Sequence, residues 1–159
     1  MNLTDVYLDD FQAAYLEEKG SYLDTGYLWK RLSDWAARNN LFPPEINYFG
    51  ISFDEPDIPD DQKTLNACIK LPVGYKKTDK EVLFKTIKGG RFLLYKFYDT
   101  NDRLALVYKD VVSEWLPSSK YELDDRDFLE FVMNDPFSDP ENKCKIDLYI
   151  PVKDKTIGL

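Results

Sequence analysis

The sequence predicts an α+β fold: a tandem strand–helix–strand–strand repeat forming a largely antiparallel sheet, with helices on one face and a central cleft. Three observations carry this reading. A shift of 80 residues places Tyr15 on Tyr95, Trp35 on Trp115, Pro56 on Pro136 and Lys63 on Lys143, so two of the three tryptophans coincide. Strand-forming runs and stretches of helical spacing recur in the same order in both halves. Polar, proline-containing loops separate the last two strands of each half, at 54–64 and 134–144.

The elements follow in order. Residues 5–8 form a short leading strand and 13–18 a longer one. Residues 26–39 have helical spacing, with Leu28, Leu32, Trp35 and Ala36 on one stripe and Asp24 or Thr25 as N-cap. Strands are predicted at 47–53 and 65–71. The second half repeats the plan. Residues 82–87 lead through Lys88-Gly89-Gly90, a hairpin signal, into a strand at 91–98. Leu104, Val107, Tyr108, Val111, Val112 and Trp115 mark a helix over 103–115, with Asp102 as its cap. Strands at 127–133 and 145–150 close the unit. The whole chain, 1–159, reads as one domain, with repeats over about 5–73 and 82–152.

Composition narrows the function. The 159 residues carry 21 Lys and Arg against 29 Asp and Glu, a net charge of −8. That field repels phosphate, so direct nucleic-acid binding is not expected and a neutral or cationic ligand suits the chain better. There is no histidine, which excludes His-based triads, His-ligated zinc and a histidine pH switch. Cys68 and Cys144 have no metal spacing and read as reduced thiols. No signal peptide and no apolar run of membrane-spanning length is visible, so a cytoplasmic protein is expected. Aromatics make up 15% of the chain, and many Tyr and Trp must find partners for an O–H or N–H.

Period-2 alternation sorts the candidate cleft residues. In 127–133, Leu129, Phe131 and Met133 form an apolar row expected beneath the helices. Phe128, Glu130 and Val132 then face a groove on the opposite side. Ile146, Leu148 and Ile150 read as core, which sends Tyr149 to the groove. Phe49 and Ile51 read as core, leaving Tyr48, Gly50 and Ser52. A glutamate between Phe128 and Val132, near Tyr149, would be partly desolvated. It would raise its pKa or demand a cationic partner. A planar organic cation stacked on aromatic rings meets that demand. A glutamate that reaches solvent or a nearby lysine is the alternative. Tyr15, Tyr95 and Trp115 complete the candidate lining, with core packing as the other reading of Trp115.

Several segments together resemble the GyrI-like small-molecule-binding domain family, also described as AraC-type effector-binding or SHS2-module proteins. They are Leu28-Trp29-Lys30-Arg31-Leu32-Ser33-Asp34-Trp35-Ala36, Gly50-Ile51-Ser52-Phe53-Asp54-Glu55-Pro56, Ile87 to Phe92 and Val111 to Pro117. Phe128-Leu129-Glu130-Phe131 with Asn134-Asp135-Pro136, and Asp147 to Val152, complete the set. The resemblance implies a cleft for amphipathic or cationic organic molecules, often with one acidic residue beneath aromatic rings. By position that residue is Glu130. It also implies three uses of the fold: the sensor part of drug-responsive regulators, a gyrase-modulating protein, and hydrolases of cyclopropane-containing genotoxins. In the hydrolases the matching glutamate acts in water addition, which would make Glu130 catalytic here. One departure is Tyr98-Asp99-Thr100-Asn101, where many relatives carry a His-Gly or similar pair.

Other segments carry no chemistry of their own. The acidic loop 54–61 lacks EF-hand spacing, and 124–127 reads as a solvated turn. Lys76-Lys77-Thr78-Asp79-Lys80 reads as the link between halves. Gly89-Gly90 lacks the Walker lysine, so no phosphate loop and no cofactor is expected. Three function classes fit: a non-catalytic binder of small amphipathic molecules, which is favoured, a detoxifying hydrolase, and an interaction module for gyrase or a regulator.

Overall fold

The structure, a computed structural model, describes residues 1–19, 25–52, 59 and 64–156. Among them are nine strands and two α-helices. The first half contains β1 (Thr4–Leu8), β2 (Phe11–Lys19), α1 (Thr25–Arg38), β3 (Asn47–Ser52) and β4 (Thr64–Lys70). The second contains β5 (Leu83–Ile87), β6 (Gly90–Asp99), α2 (Leu104–Asp110), β7 (Tyr121–Leu123), β8 (Leu129–Val132) and β9 (Cys144–Asp154). The expected cap Asp24, the end of the 47–53 strand, most of the 54–64 loop and the Pro56 and Lys63 matches lie outside the described residues.

The sheet runs β1-β6-β9-β8-β3-β4-β2-β5, every pairing is antiparallel, and β7 adds to β9. Read inward from either end, the order is leading strand, long strand, last strand, third strand. The two halves meet where β3 pairs with β8.

Each leading strand pairs in the opposite half, β1 with β6 and β5 with β2. The hairpin expected at Gly89-Gly90 is therefore absent: β5 and β6 are not neighbours. These glycines serve close approach instead. A Cβ on Gly89 would lie 2.1 Å from the Leu8 carbonyl oxygen and 2.6 Å from the Asp9 carbonyl carbon. The Gly89 N–H donates to Asp10 Oδ1 at 2.7 Å, so the β1–β2 and β5–β6 connections lie against each other. Gly90 has φ +133°, a conformation L side chains rarely adopt.

This crossing fixes the curvature. β1 is one edge of the sheet and β2 adjoins the other, yet only Asp9 and Asp10 separate them. So short a link reaches about 11 Å. The sheet must curl into a half-barrel to bring its ends together. The nearly buried Arg126 side chain clamps the crossing. It donates to the carbonyl oxygens of Gly89, Arg91 and Val152, pairs with Asp124 at 2.6 Å, and lies over the Phe92 ring.

Both helices cover one face. Leu28, Leu32, Trp35 and Ala36 of α1 pack on Ala14 and Leu16 of β2 and Ala67 and Ile69 of β4. Trp35 Nε1 also donates to Asp79 Oδ2 at 2.7 Å, tying α1 to the segment that joins the halves. The second helical segment begins with a 3₁₀ turn (Asn101–Arg103), continues through α2, widens to a π-turn (Val111–Trp115) and ends in 3₁₀ geometry at Leu116–Ser118. Asp102 is therefore inside the first turn and does not cap it; the cap position is Thr100. This segment packs on Leu93 and Phe97 of β6 and on Ile146, Leu148, Ile150 and Val152 of β9.

The opposite, concave face is filled. Ala13, Phe49, Ile51, Cys68, Ile87, Phe92 and Leu129 are buried there, with Phe131 and Tyr149 packed against them. Phe49 stacks on Phe131 at 4.9 Å, and Phe131 meets Tyr149 edge-on at 5.4 Å. This corrects the expectation of an open groove on that side and of Leu129 and Phe131 beneath the helices. Cys68 and Cys144 are free thiols, and burial pushes Cys68 up to about 12. No helix among the described residues is long and apolar enough to cross a membrane, and none of their acidic or cysteine side chains gather in threes as a metal site.

Candidate functional site

The seam between the halves is on the helix-covered face. Direct cross-strand pairing places Leu16, Ala67, Gly50, Glu130, Leu148 and Tyr95 in one row across the sheet. Residues paired directly across strands point to the same side. Glu130 thus sits at the centre of that row, with the small Gly50 and Ala67 on one side. α1 stands over the first half of the row and α2 over the second.

Each helix lends an aromatic residue to this seam. From α2, the Tyr108 hydroxyl donates to Glu130 Oε1 at 2.8 Å. The Tyr108 ring meets Phe128 edge-on at 5.5 Å. From α1, Trp29 approaches the same spot. A Cβ built on Gly50 would lie 3.9 Å from Glu130 Oε2, from Trp29 Cζ2 and from Leu65 Cδ1 alike. Trp29 in turn packs edge-on against Tyr48 at 6.4 Å. Two aromatic pairs, one from each half, therefore flank a single carboxylate.

The electrostatics follow from crowding. Burial raises the Glu130 pKa, and the Tyr108 hydrogen bond opposes that rise by favouring the charged form. Burial, the adjacent carboxylate and the hydrogen bond to it raise Tyr108 well above the usual phenol value, so its proton stays in place to donate. Burial also raises Tyr48. Glu130, Tyr108, Trp29 and Tyr48 all retain partial exposure. A carboxylate with one oxygen held by a phenol and the other facing aromatic and aliphatic walls is set up to receive a cation or an N–H donor.

A family model described as the GyrI-like small molecule binding domain matches residues 1–153. The chain belongs to this family. No curated protein matches the sequence. Among solved structures, this GyrI-like chain resembles the EcmrR C-terminal domain, with TM-score 0.77 and 10% identity over 97% of this chain and 98% of that one. It spans 58% of the EcmrR chain in an EcmrR–DNA complex. A hydrolase from Listeria innocua matches with TM-score 0.69 and 11% identity over 95% of this chain and 91% of that one. SAV2435 bound to tetraphenylphosphonium matches with TM-score 0.58 and 11% identity over 96% and 94%. At such identities the likeness concerns the fold.

The structure of this GyrI-like domain gathers some of the expected residues and separates others. Glu130, Phe128, Val132 and Tyr48 share the helix-side face, and Tyr95 joins them two strands from Glu130, packed with Tyr108 against Phe97, Ile146 and Leu148. Tyr149 is on the opposite face, in the ring cluster with Phe92 and Phe131. Tyr15 is also there, beneath Lys85 Nζ at 4.2 Å. Trp115, at the end of the π-turn of the second helical segment, is partly buried against the cluster of Val111, Leu116 and Ile150. Sequence reasoning passed over Trp29 and Tyr108. Trp29 stands one residue off the Leu28–Leu32–Trp35 stripe, and a tryptophan beside an apolar stripe is the one signal that marks it. Tyr108 looked like an ordinary member of its own stripe.

Proposed function

We propose that this GyrI-like protein binds small amphipathic organic cations in the cleft between its two helices. Glu130 supplies the countercharge, and Trp29, Tyr48, Tyr108 and Phe128 supply the aromatic walls. The observation that carries this reading is the Tyr108–Glu130 hydrogen bond at the seam, which holds a partly buried carboxylate among rings from both halves. The binding class of the family supports it, as does the organic cation bound by SAV2435. A desolvated cation over a ring gains about 2 kcal/mol, and an unpaired buried carboxylate is costly, so a cation satisfies both groups at once.

The test is a pair of ligands of one shape, one cationic and one neutral, titrated by quenching of tryptophan fluorescence. Glu130→Gln should weaken the cation by about tenfold or more, the scale of a charged hydrogen bond, and leave the neutral ligand nearly unchanged. Equal losses for the two ligands would reject charge pairing.

A second reading rests on the same hydrogen bond. A carboxylate with a raised pKa beside a protonated phenol is also an acid–base couple. Glu130 would take a proton from water as the water oxygen bonds to the carbon of a strained electrophile. Tyr108 would protonate the departing atom as the strained bond breaks, and the proton on Glu130 would then return to the Tyr108 oxygen. The fold shared with the Listeria innocua hydrolase adds weight. Turnover lost in both Glu130→Gln and Tyr108→Phe is its expected outcome. An unchanged rate in Glu130→Gln would dismiss it.

A further inference from the structure

We infer that this protein selects cations bearing an N–H donor over cations whose charge is shielded by carbon, with Gly50 as the residue that sets this preference. The inference rests on the cleft reading above and adds the ligand's chemistry to it.

The two oxygens of Glu130 are not equivalent. Oε1 is engaged by the Tyr108 hydroxyl at 2.8 Å. Oε2 faces a recess over Gly50. The absent side chain leaves room there for one non-hydrogen atom, at 3.9 Å from Oε2, Trp29 Cζ2 and Leu65 Cδ1 together. That is ordinary van der Waals separation from all three, so an atom fits there without displacing them. The neighbouring residue in the row, Ala67, is small as well and is buried.

That position beside Oε2 distinguishes two kinds of cation. A protonated amine or amidinium edge places a nitrogen there and moves about 1 Å closer to Oε2, to the distance of a charge-assisted hydrogen bond. A quaternary ammonium or phosphonium carries its charge behind carbon. Its nearest atom stops at van der Waals distance, and it gains only diffuse attraction. Both kinds stack on the aromatic walls, so both bind; only the first uses the second oxygen. With Oε1 already holding a donor, an N–H at Oε2 gives each carboxylate oxygen a donor.

The test uses 9-aminoacridine and 10-methylacridinium, two planar monocations of similar size. The first offers N–H edges and the second offers none. Calorimetric titration of the wild-type chain near neutral pH should favour 9-aminoacridine by about tenfold or more, the ratio expected for one charge-assisted hydrogen bond. Gly50→Ala fills the recess without meeting any atom closer than 3.9 Å, and so retains the fold. It should bring the ratio to within about threefold, chiefly by weakening 9-aminoacridine.

Equal wild-type affinities, with both ligands still weakened by Glu130→Gln, would overturn this inference and leave the cation-binding reading standing. A wild-type preference that survives Gly50→Ala would overturn the role given to Gly50. Absence of binding by either acridine, or binding of both that ignores Glu130→Gln, would overturn the cation-binding reading and this inference with it.

Discussion

Glu130 is a half-buried carboxylate whose surroundings shift its titration. Burial raises its pKa in the folded chain above its ordinary 4.5. An acid whose pKa rises on folding binds its proton more tightly in the folded state. It therefore favours folding when protonated, and that contribution fades as pH climbs from 4.5 through the raised folded value. Glu130→Gln cannot ionise and still accepts from Tyr108. Its melting temperature should match the wild type in acid and exceed it near neutrality, as thermal scans across pH would record. A variant less stable than wild type at neutral pH would contradict the buried-charge account. Tyr108 acts in the opposite sense, since its hydrogen bond lowers the Glu130 pKa. Tyr108→Phe should push that pKa further up. The proposed cation affinity, which needs the carboxylate ionised, should then fall away at a higher pH than in the wild type. A pH series of the same titration measures the midpoint.

At the scale of elements, α1 is held by its buried stripe and by hydrogen bonds from Trp35 to Asp79 and from Arg38 to Glu81. Leu32 is fully buried against β2 and β4, so Leu32→Ala should cost about 2–5 kcal/mol in urea unfolding. The spacing of Leu28, Leu32, Trp35 and Ala36 made this helix legible, because a helix is what returns side chains to one face every 3.6 residues. The second helical segment was legible as a stripe and not as a geometry. Its π-turn at Val111–Trp115 and flanking 3₁₀ turns keep an apolar stripe on one face while changing the pitch beneath it. β7 was missed because three residues of mixed polarity, Tyr121-Glu122-Leu123, have no period to detect; they become a strand only beside β9. The 80-residue shift also had limited resolution. Pairing makes Ala13 equivalent to Phe92, Gly50 to Glu130 and Ala67 to Leu148, so the register drifts by one residue in either direction. Tyr15 and Tyr95, matched by the fixed shift, consequently point to opposite faces.

The whole molecule depends on the exchange of leading strands. Neither half contains a complete four-stranded unit built from its own consecutive segments, because β1 belongs beside β6 and β5 beside β2. The connections cross at Gly89, where a methyl group would overlap backbone atoms that no rotamer change can move aside. Gly89→Ala should therefore destabilise by about 1–3 kcal/mol or more, the range for overpacking a tight contact. The loss should appear as one cooperative transition, since both halves share the crossing. Two separate unfolding transitions would show instead that the halves are independent.

Local chemistry within the chain was enough to determine the α+β class, the order of most strands and helices, the doubled plan, and a glutamate set between apolar neighbours. These depend on periodicity and side-chain type, which act over a few residues. Period 2 also divided each strand into its two rows, Leu129 and Phe131 against Phe128, Glu130 and Val132. It could not say which row the helices cover, because both rows are largely apolar. Tertiary structure alone decided that: curling the sheet buries the Leu129–Phe131 row inside and sends Glu130 outward, to the line where α1 and α2 part. The surroundings of Glu130 were decided in the same way. Trp29 and Tyr108 come from segments far apart in sequence, and only β3–β8 pairing brings the two helices that carry them over one carboxylate.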